Sequence, residues 1–208
     1  QTYFLWMLTE ENLRKTIFPL GGLTKTEVRQ IALEHGFETL SKKAESQDIC
    51  FIPNNDYRSF LSAQGVEVAV GNYIDNSGKI LGLHKGYCYY TIGQRKGLGI
   101  ALGAPKFVTH IDAATNRVTL GNRDDLLTSH ATISDVRIRD LDWLTESPTL
   151  QARIRYKSPT VNCQLSDNCL SECETRTVNF SSPVWGVTPG QSLVLYKDGL
   201  VVGGGIIV

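Results

Sequence analysis

Five cysteines are the residues of this sequence best suited to covalent chemistry: Cys50, Cys88, Cys163, Cys169 and Cys173. Cys50 lies in the short apolar run Ile49-Cys50-Phe51-Ile52, directly after the polar segment Glu45-Ser46-Gln47-Asp48. A free cysteine among apolar neighbours is ordinarily a small core residue. The functional alternative is a nucleophilic or persulfide-carrying thiol, which needs solvent access and a lowered pKa. Lys42 and Lys43 are close enough in sequence to supply positive charge, and Asp48 opposes them. Cys163, Cys169 and Cys173 have longer spacings than zinc knuckles use and lack a fourth ligand. They read as strand and loop cysteines with no shared metal. An odd number of cysteines in a chain of 208 residues is a poor secreted disulfide framework, so a reducing cytoplasm is expected.

A second group points to binding rather than bond-making. The segment Tyr90-Thr91-Ile92-Gly93-Gln94-Arg95-Lys96-Gly97-Leu98-Gly99-Ile100 sets two adjacent cations between glycines. It is not a Walker loop, because no Lys-Ser/Thr pair follows the required glycine spacing. It opens no evident helix, so the dinucleotide fingerprint fails as well. Its plain interpretation is a polar hairpin tip. Its functional interpretation is a loop in which Arg95 and Lys96 meet phosphates while the glycines permit close approach. The four histidines are scattered, and neither a Ser/His/Asp order nor an HExxH helix occurs.

Composition restrains these possibilities. Twenty-one basic and 21 acidic residues cancel, so RNA binding would have to come from local patches rather than a global field. Hydrophobic residues at 41% and charged residues at 20% are ordinary for a soluble globular chain. No apolar run approaches the roughly 20 residues that cross a bilayer, so no membrane partner is expected. The first residue is Gln1 and no signal segment precedes the fold, so the chain is expected to begin inside a longer one.

The elements that must position these residues change in character along the chain. Thr9 caps an expected helix with Leu13 and Ile17 on one face, ending before Pro19. Thr24 and Glu27 have capping-box spacing ahead of the stripe Val28, Ile31, Ala32 and His35, and Gly36 stops that helix. Asn72-Tyr73-Ile74 and Lys79-Ile80-Leu81 flank the turn Asp75-Asn76-Ser77-Gly78 as a hairpin. From Phe107 onward the pattern alternates in strand fashion, as in Val118–Leu120, Ala152–Tyr156, Val161–Leu165 and Ser192–Tyr196. Several short strands with turn signals between them predict a closed barrel or sandwich. Boundaries are expected near residues 54 and 127.

Read together, several stretches carry a family resemblance. Gln1-Thr2-Tyr3-Phe4-Leu5-Trp6, followed by Phe18-Pro19-Leu20-Gly21, resembles a passage of the tRNA-specific 2-thiouridylases. Ser46-Gln47-Asp48-Ile49-Cys50-Phe51-Ile52 is similar to that family's second-cysteine motif, with Asp48 where glycine is frequent. Tyr90 to Ile100 resembles its YTIGQRKGLGI signature. Arg153-Ile154-Arg155-Tyr156 and Thr188-Pro189-Gly190-Gln191-Ser192 resemble its RY and TPGQS passages.

The resemblance implies replacement of the C2 oxygen of a wobble uridine by sulfur. ATP with Mg, held by an SGGVDS loop absent from this sequence, would adenylate the uridine carbonyl; the chain alone is then expected to bind no cofactor and to be inactive. Cys50 matches the persulfide position, charged by a sulfur-relay protein or a cysteine desulfurase, and an earlier cysteine would release the sulfur by forming a disulfide. Gln1, Arg155, Tyr156 and Gln191 fall at positions the family uses for tRNA contact. Arg155 and Tyr156 alternate on an expected strand, so one is expected to face RNA and the other to pack inward. The implied architecture is α+β and multidomain: residues 1–54 as the helical tail of an α/β nucleotide-binding domain, 55–126 as a small mainly-β tRNA-binding domain, and 127–208 as a β-barrel. Two other functions fit the residues: a free-standing RNA-binding barrel that positions tRNA for a separate catalyst, and a sulfur-carrier protein.

Overall fold

The computed structural model describes residues 2–43, 52, 56–66, 68–139, 150–166 and 175–208. The chain forms two compact units, Thr9–Glu67 and the combination of Gln1–Leu8 with Val68–Val208. No helix among the described residues is long and apolar enough to cross a membrane.

The first unit holds helices α1 (Glu10–Lys15), α2 (Lys25–Glu34), α3 (Glu38–Lys42) and α4 (Tyr57–Ala63). Local side chains start and stop them. Thr9 Oγ1 accepts the Asn12 amide at 3.2 Å at the head of α1. The helix ends sooner than its apolar spacing predicts, because Thr16 turns extended and its hydroxyl donates to the Asn12 carbonyl at 2.6 Å. Ile17 is consequently 85% exposed rather than on a shared face with Leu13. The capping box of α2 is present, with Glu27 Oε2 accepting the Thr24 amide at 2.6 Å. Beyond its C-terminus the Phe37 amide reaches the Ala32 carbonyl at 2.8 Å, which places Gly36 at the left-handed stop. None of α1, α2 or α4 buries a residue, and α3 buries only Ser41.

The second unit begins with a four-stranded sheet of β1 (Gly71–Ile74), β2 (Ile80–His84), β3 (Phe107–Asp112) and β4 (Arg117–Gly121) in the order β2-β1-β4-β3. The β1–β2 hairpin forms as its turn residues predict. Asp75 Oδ1 accepts from the amides of Ser77 at 2.9 Å and Lys79 at 3.0 Å, closing the turn with its own side chain. Strands β1 and β4 run parallel, and Tyr73, Tyr90, Val108, Val118 and Leu120 make the core beneath. His84 is buried edge-on to Tyr73 and Tyr90 and accepts the Gly86 amide at Nδ1 over 3.0 Å. Burial pushes its imidazole pKa below the ordinary 6.5, so it is held neutral.

A closed antiparallel barrel follows, built from β5 (Leu127–Ile138), β6 (Leu150–Arg153), β7 (Val161–Leu165), β8 (Thr175–Trp185), β9 (Ser192–Lys197) and β10 (Leu200–Ile207) in the order β10-β5-β8-β7-β6-β9. Its interior holds side chains such as Ile133, Leu150, Val178, Leu193, Leu195 and Val202. Closure leaves no free sheet edge. Cys163 is one of the interior residues, and burial raises its thiol pKa to about 12. A thiol so placed is inert.

Strand β9 is buried on both faces. Leu193 and Leu195 point into the barrel, while Val194 and Tyr196 meet the opening segment of the chain on the outside. That segment makes one turn of 3-10 helix, Thr2–Leu5. Side chains three apart eclipse in such a turn, so Tyr3 and Trp6 face the barrel together. Trp6 is 2% exposed and lies against β10, where a Cβ on Gly204 would come within 2.9 Å of its ring. Tyr3 donates its hydroxyl to the Ser192 carbonyl at 2.6 Å, and Arg139 Nη2 donates to the Leu5 carbonyl at 3.0 Å. The α+β architecture with a terminal barrel agrees with expectation, while the first eight residues group with the barrel and the central sheet.

Candidate nucleic-acid interface

Arg155 and Tyr156 do not lie on a strand. Strand β6 stops at Arg153, and the chain bends into a turn closed by Ser158. The Ser158 amide and hydroxyl both reach the Arg155 carbonyl, at 3.1 and 3.0 Å, and Ser158 Oγ accepts the Arg155 amide at 3.2 Å. A serine that satisfies both backbone groups of a neighbour competes with the sheet ladder, and here it ends the strand. The two side chains still diverge. Tyr156 faces outward at 39% exposure, and the Arg155 guanidinium turns inward.

One nitrogen of that guanidinium, Nη2, makes its hydrogen bonds to the described residues. It donates to the Gly186 carbonyl and to Thr188 Oγ1 at 2.7 Å each, and reaches the Ile92 carbonyl at 3.5 Å. The guanidinium carbon also sits 5.9 Å from the centre of the Trp185 ring. Arg155 therefore joins the barrel turn after β8 to the loop of the central sheet. Trp185 completes the joint from the other side. Its ring packs edge-on to Phe107 at 6.2 Å and against the backbone of Gly93. A Cβ at Gly93 would fall 2.8 Å from Trp185, and the residue has φ +87°, so both the space and the conformation demand glycine.

The loop carrying Arg95 and Lys96 is thereby anchored at its base. Gly93 donates to the Val108 carbonyl at 2.8 Å, and Val108 donates back to the Gln94 carbonyl at 2.9 Å. The Gln94 side chain accepts the Thr91 amide at 3.1 Å and donates to the Lys96 carbonyl at 2.9 Å, closing the loop internally. Arg95, Lys96 and Gly97 remain exposed at its tip. Arg95 and Lys106 also border a depression of about 310 Å³ lined by Gly97, Gly99, Leu98, Ile100 and Leu102 among others. The segment leads into turns rather than into a helix. It therefore lacks the amide-lined helix start on which a phosphate-cradling loop depends.

Gln191 lies beside the opening segment. Its backbone is held by the turn to Thr188 at 3.2 Å and by the Ile207 amide at 2.8 Å, leaving it exposed next to Ser192. Tyr3, bonded to the Ser192 carbonyl, also meets Tyr156 with ring centres 6.2 Å apart. Tyr156, Gln191 and the residues just after Gln1 thus gather on one end of the barrel, and Arg155 links that end to the Arg95–Lys96 loop. Gln1 and Cys50 themselves lie outside the described residues, as do Cys169 and Cys173. Sequence reasoning missed Trp185 and Phe4. Phe4 lies inside the first family-like passage and Trp185 outside all of them, so the aromatic residue type was the one signal available.

The chain aligns over its whole length with curated relatives. It is 43% identical over 211 residues to the tRNA-specific 2-thiouridylase MnmA of Chlorobaculum tepidum, and 43% identical over 208 residues to that of Clostridium perfringens. With the corresponding protein of Carboxydothermus hydrogenoformans the identity is 41% over 211 residues. The chain belongs to the tRNA-specific 2-thiouridylase family. It spans 57% of the length of the first two relatives and 56% of the third. Residues 1–54 match the family described as tRNA methyl transferase HUP domain, 58–122 the tRNA methyl transferase PRC-barrel domain, and 133–207 the aminomethyltransferase beta-barrel domain. In 2-thiouridylase terms, the joint of Arg155, Trp185 and Gly93 lies between the second and third of these matches.

Proposed function

We propose that this chain supplies the tRNA-holding surface and the sulfur-bearing cysteine of an enzyme that converts C2 of a wobble uridine to the thiocarbonyl. The observation that carries this is the gathering of Tyr156, Gln191 and the Arg95–Lys96 loop around Arg155. Cations on an anchored loop suit phosphate oxygens, and aromatic and amide groups suit exposed bases. Arg155 keeps Nη2 for the protein and has Nη1 to offer a phosphate.

The sulfur chemistry rests on the resemblance of Ser46 to Ile52 to the persulfide-bearing motif. A persulfide on Cys50, loaded by a relay protein or desulfurase, attacks C2 through its terminal sulfur and displaces the activated oxygen. The partner cysteine then attacks the Cys50 sulfur, releasing the thiolated base and leaving a disulfide for external thiols to reduce. The oxygen must be activated beforehand, which ATP would do through residues other than those described in this chain.

Serine cannot accept sulfane sulfur or form the disulfide, so Cys50→Ser in the full-length enzyme is expected to abolish 2-thiouridine while tRNA binding persists. Mass spectrometry of tRNA nucleosides after incubation with ATP and a sulfur donor measures this. Retained thiolation in Cys50→Ser, with loss in Cys88→Ser or Cys163→Ser, would assign the sulfur to another cysteine. A free-standing RNA-binding barrel would bind tRNA and remain indifferent to Cys50, and a pure sulfur carrier would load Cys50 without binding tRNA.

A further inference from the structure

Phe4 is the most exposed aromatic ring among the described residues, at 66%, yet it stands on one of the best anchored segments. The residues on either side of it are fixed. Tyr3 is bonded to the Ser192 carbonyl, Leu5 accepts from Arg139, and Trp6 is pressed against Gly204. In a 3-10 turn that faces the barrel with Tyr3 and Trp6, Phe4 and Leu5 between them are turned away, and Phe4 is the exposed one. Phe4 is thus held rigidly in solvent rather than left there by a mobile end.

Its ring is also paired. Phe4 and Tyr156 lie 5.1 Å apart between ring centres with planes 34° apart, a tilted pair. Tyr3 buttresses Phe4 from the edge at 5.3 Å and 90°. Next to Tyr156 the exposed Lys157 and the half-buried Arg155 bring positive charge, and Gln191 adds an exposed amide beside Ser192. Phe4, Tyr156 and Met7, which is exposed three residues after Phe4, make a small patch bordered by cations and amides, narrower than the hydrophobic area an apolar peptide or a lipid surface needs. It matches single-stranded nucleic acid, whose bases stack on aromatic faces while neighbouring cations take the phosphates. The immobility of the segment also lowers the ordering cost of stacking.

We propose that Phe4, supported by Tyr156, is a stacking platform for one unpaired base of the bound RNA. The proposal rests on the tRNA-binding function proposed above and adds a base-contacting residue to it. Stacking on π-faces is sequence-tolerant and does not release counterions, so its loss has a distinct signature.

The test uses the full-length enzyme and two RNAs: unmodified tRNA with an open anticodon loop, and a blunt RNA duplex without unpaired bases. Phe4→Ala is expected to weaken tRNA binding roughly 5- to 100-fold, with the salt dependence unchanged. Phe4→Trp keeps or improves affinity, Phe4→Leu weakens it as alanine does, and duplex binding is the same for all. Because Phe4 is exposed, all three variants should melt with the wild type. Wild-type affinity for tRNA in Phe4→Ala, or full affinity in Phe4→Leu, overturns the platform and points to an apolar protein partner. Failure of the wild-type enzyme to bind tRNA at all overturns the RNA-binding function itself, a result separable from the first two.

Discussion

Leu195 on β9 and Ile31 on α2 are apolar residues at positions where the period of their element calls for a buried face. Leu195 is completely enclosed by the barrel, while Ile31 is 40% exposed, together with Leu33, Phe37 and Leu40 nearby. The barrel is six strands, none stable alone, that close on one another. The helical unit has well-formed ends, with a capping box and two exposed i,i+4 pairs (Glu10–Arg14 and Glu11–Lys15), and among its described residues only Ser41 and Ile52 are buried. Caps and surface pairs start helices but contribute little lasting stability, which comes from tertiary packing. The difference teaches that helix signals and helix stability are separate quantities.

The largest effect should come from removing barrel packing. Leu195→Ala should cost about 2–5 kcal/mol by urea denaturation, whereas Ile31→Ala should cost about 0.5 kcal/mol or less in this chain. Equal costs would show that the two units fold as one core. Next in size is the joint between sheet and barrel. Gly93→Ala puts a Cβ against Trp185 at a positive φ and should destabilise by roughly 1–3 kcal/mol. Tryptophan fluorescence would register displacement of Trp185, and an unshifted spectrum with unchanged stability would dissolve the joint.

Arg155 sharpens the contrast between holding and binding. In the full-length enzyme, Arg155→Ala should weaken tRNA binding and lower the salt slope by about 1 if Nη1 meets a phosphate. Arg155→Lys keeps the charge but has one nitrogen where the guanidinium has Nη2 for Gly186 and Thr188 and Nη1 besides, so it should keep most of the slope and lose stability. An unchanged slope in Arg155→Ala would make the residue a positioning group alone. The smallest effect concerns His84. Its folded pKa lies below 6.5, so folded and unfolded states are both neutral above that value. As pH falls through about 6.5 the unfolded chain takes up a proton first, and stability declines until the folded pKa is passed. Thermal melts between pH 7.5 and 5 should show this decline in the barrel-and-sheet unit, and His84→Gln should flatten it.

Those tests follow the division between what was legible in the sequence and what was not. The α2 capping box, the stop at Gly36 and the Asp75 turn were legible because every partner lies within five residues, and such contacts form whatever the rest of the chain does. The alternating runs predicted a barrel or sandwich, since a period of two with frequent turns allows few architectures. The family passages singled out Arg95, Lys96, Arg155, Tyr156 and Gln191 without indicating how they meet. A strand through Tyr156 was expected from alternation, and Ser158 ended it by bonding to Arg155, a competition that side-chain period does not express.

Tertiary structure alone decided the rest. Tyr3 bonds to Ser192 across 189 positions of sequence, and Arg155 reaches Ile92 across 63. No local propensity encodes such pairs, because they exist only when barrel closure brings the strand ends around to the central sheet. The same closure turns Tyr3 and Trp6 into an anchor, leaves Phe4 facing water, and makes Gly93 obligatory beneath Trp185. Residue types and short-range turns are written in order along the chain. Their assembly into one surface depends on a hydrophobic core that satisfies all the strands at once.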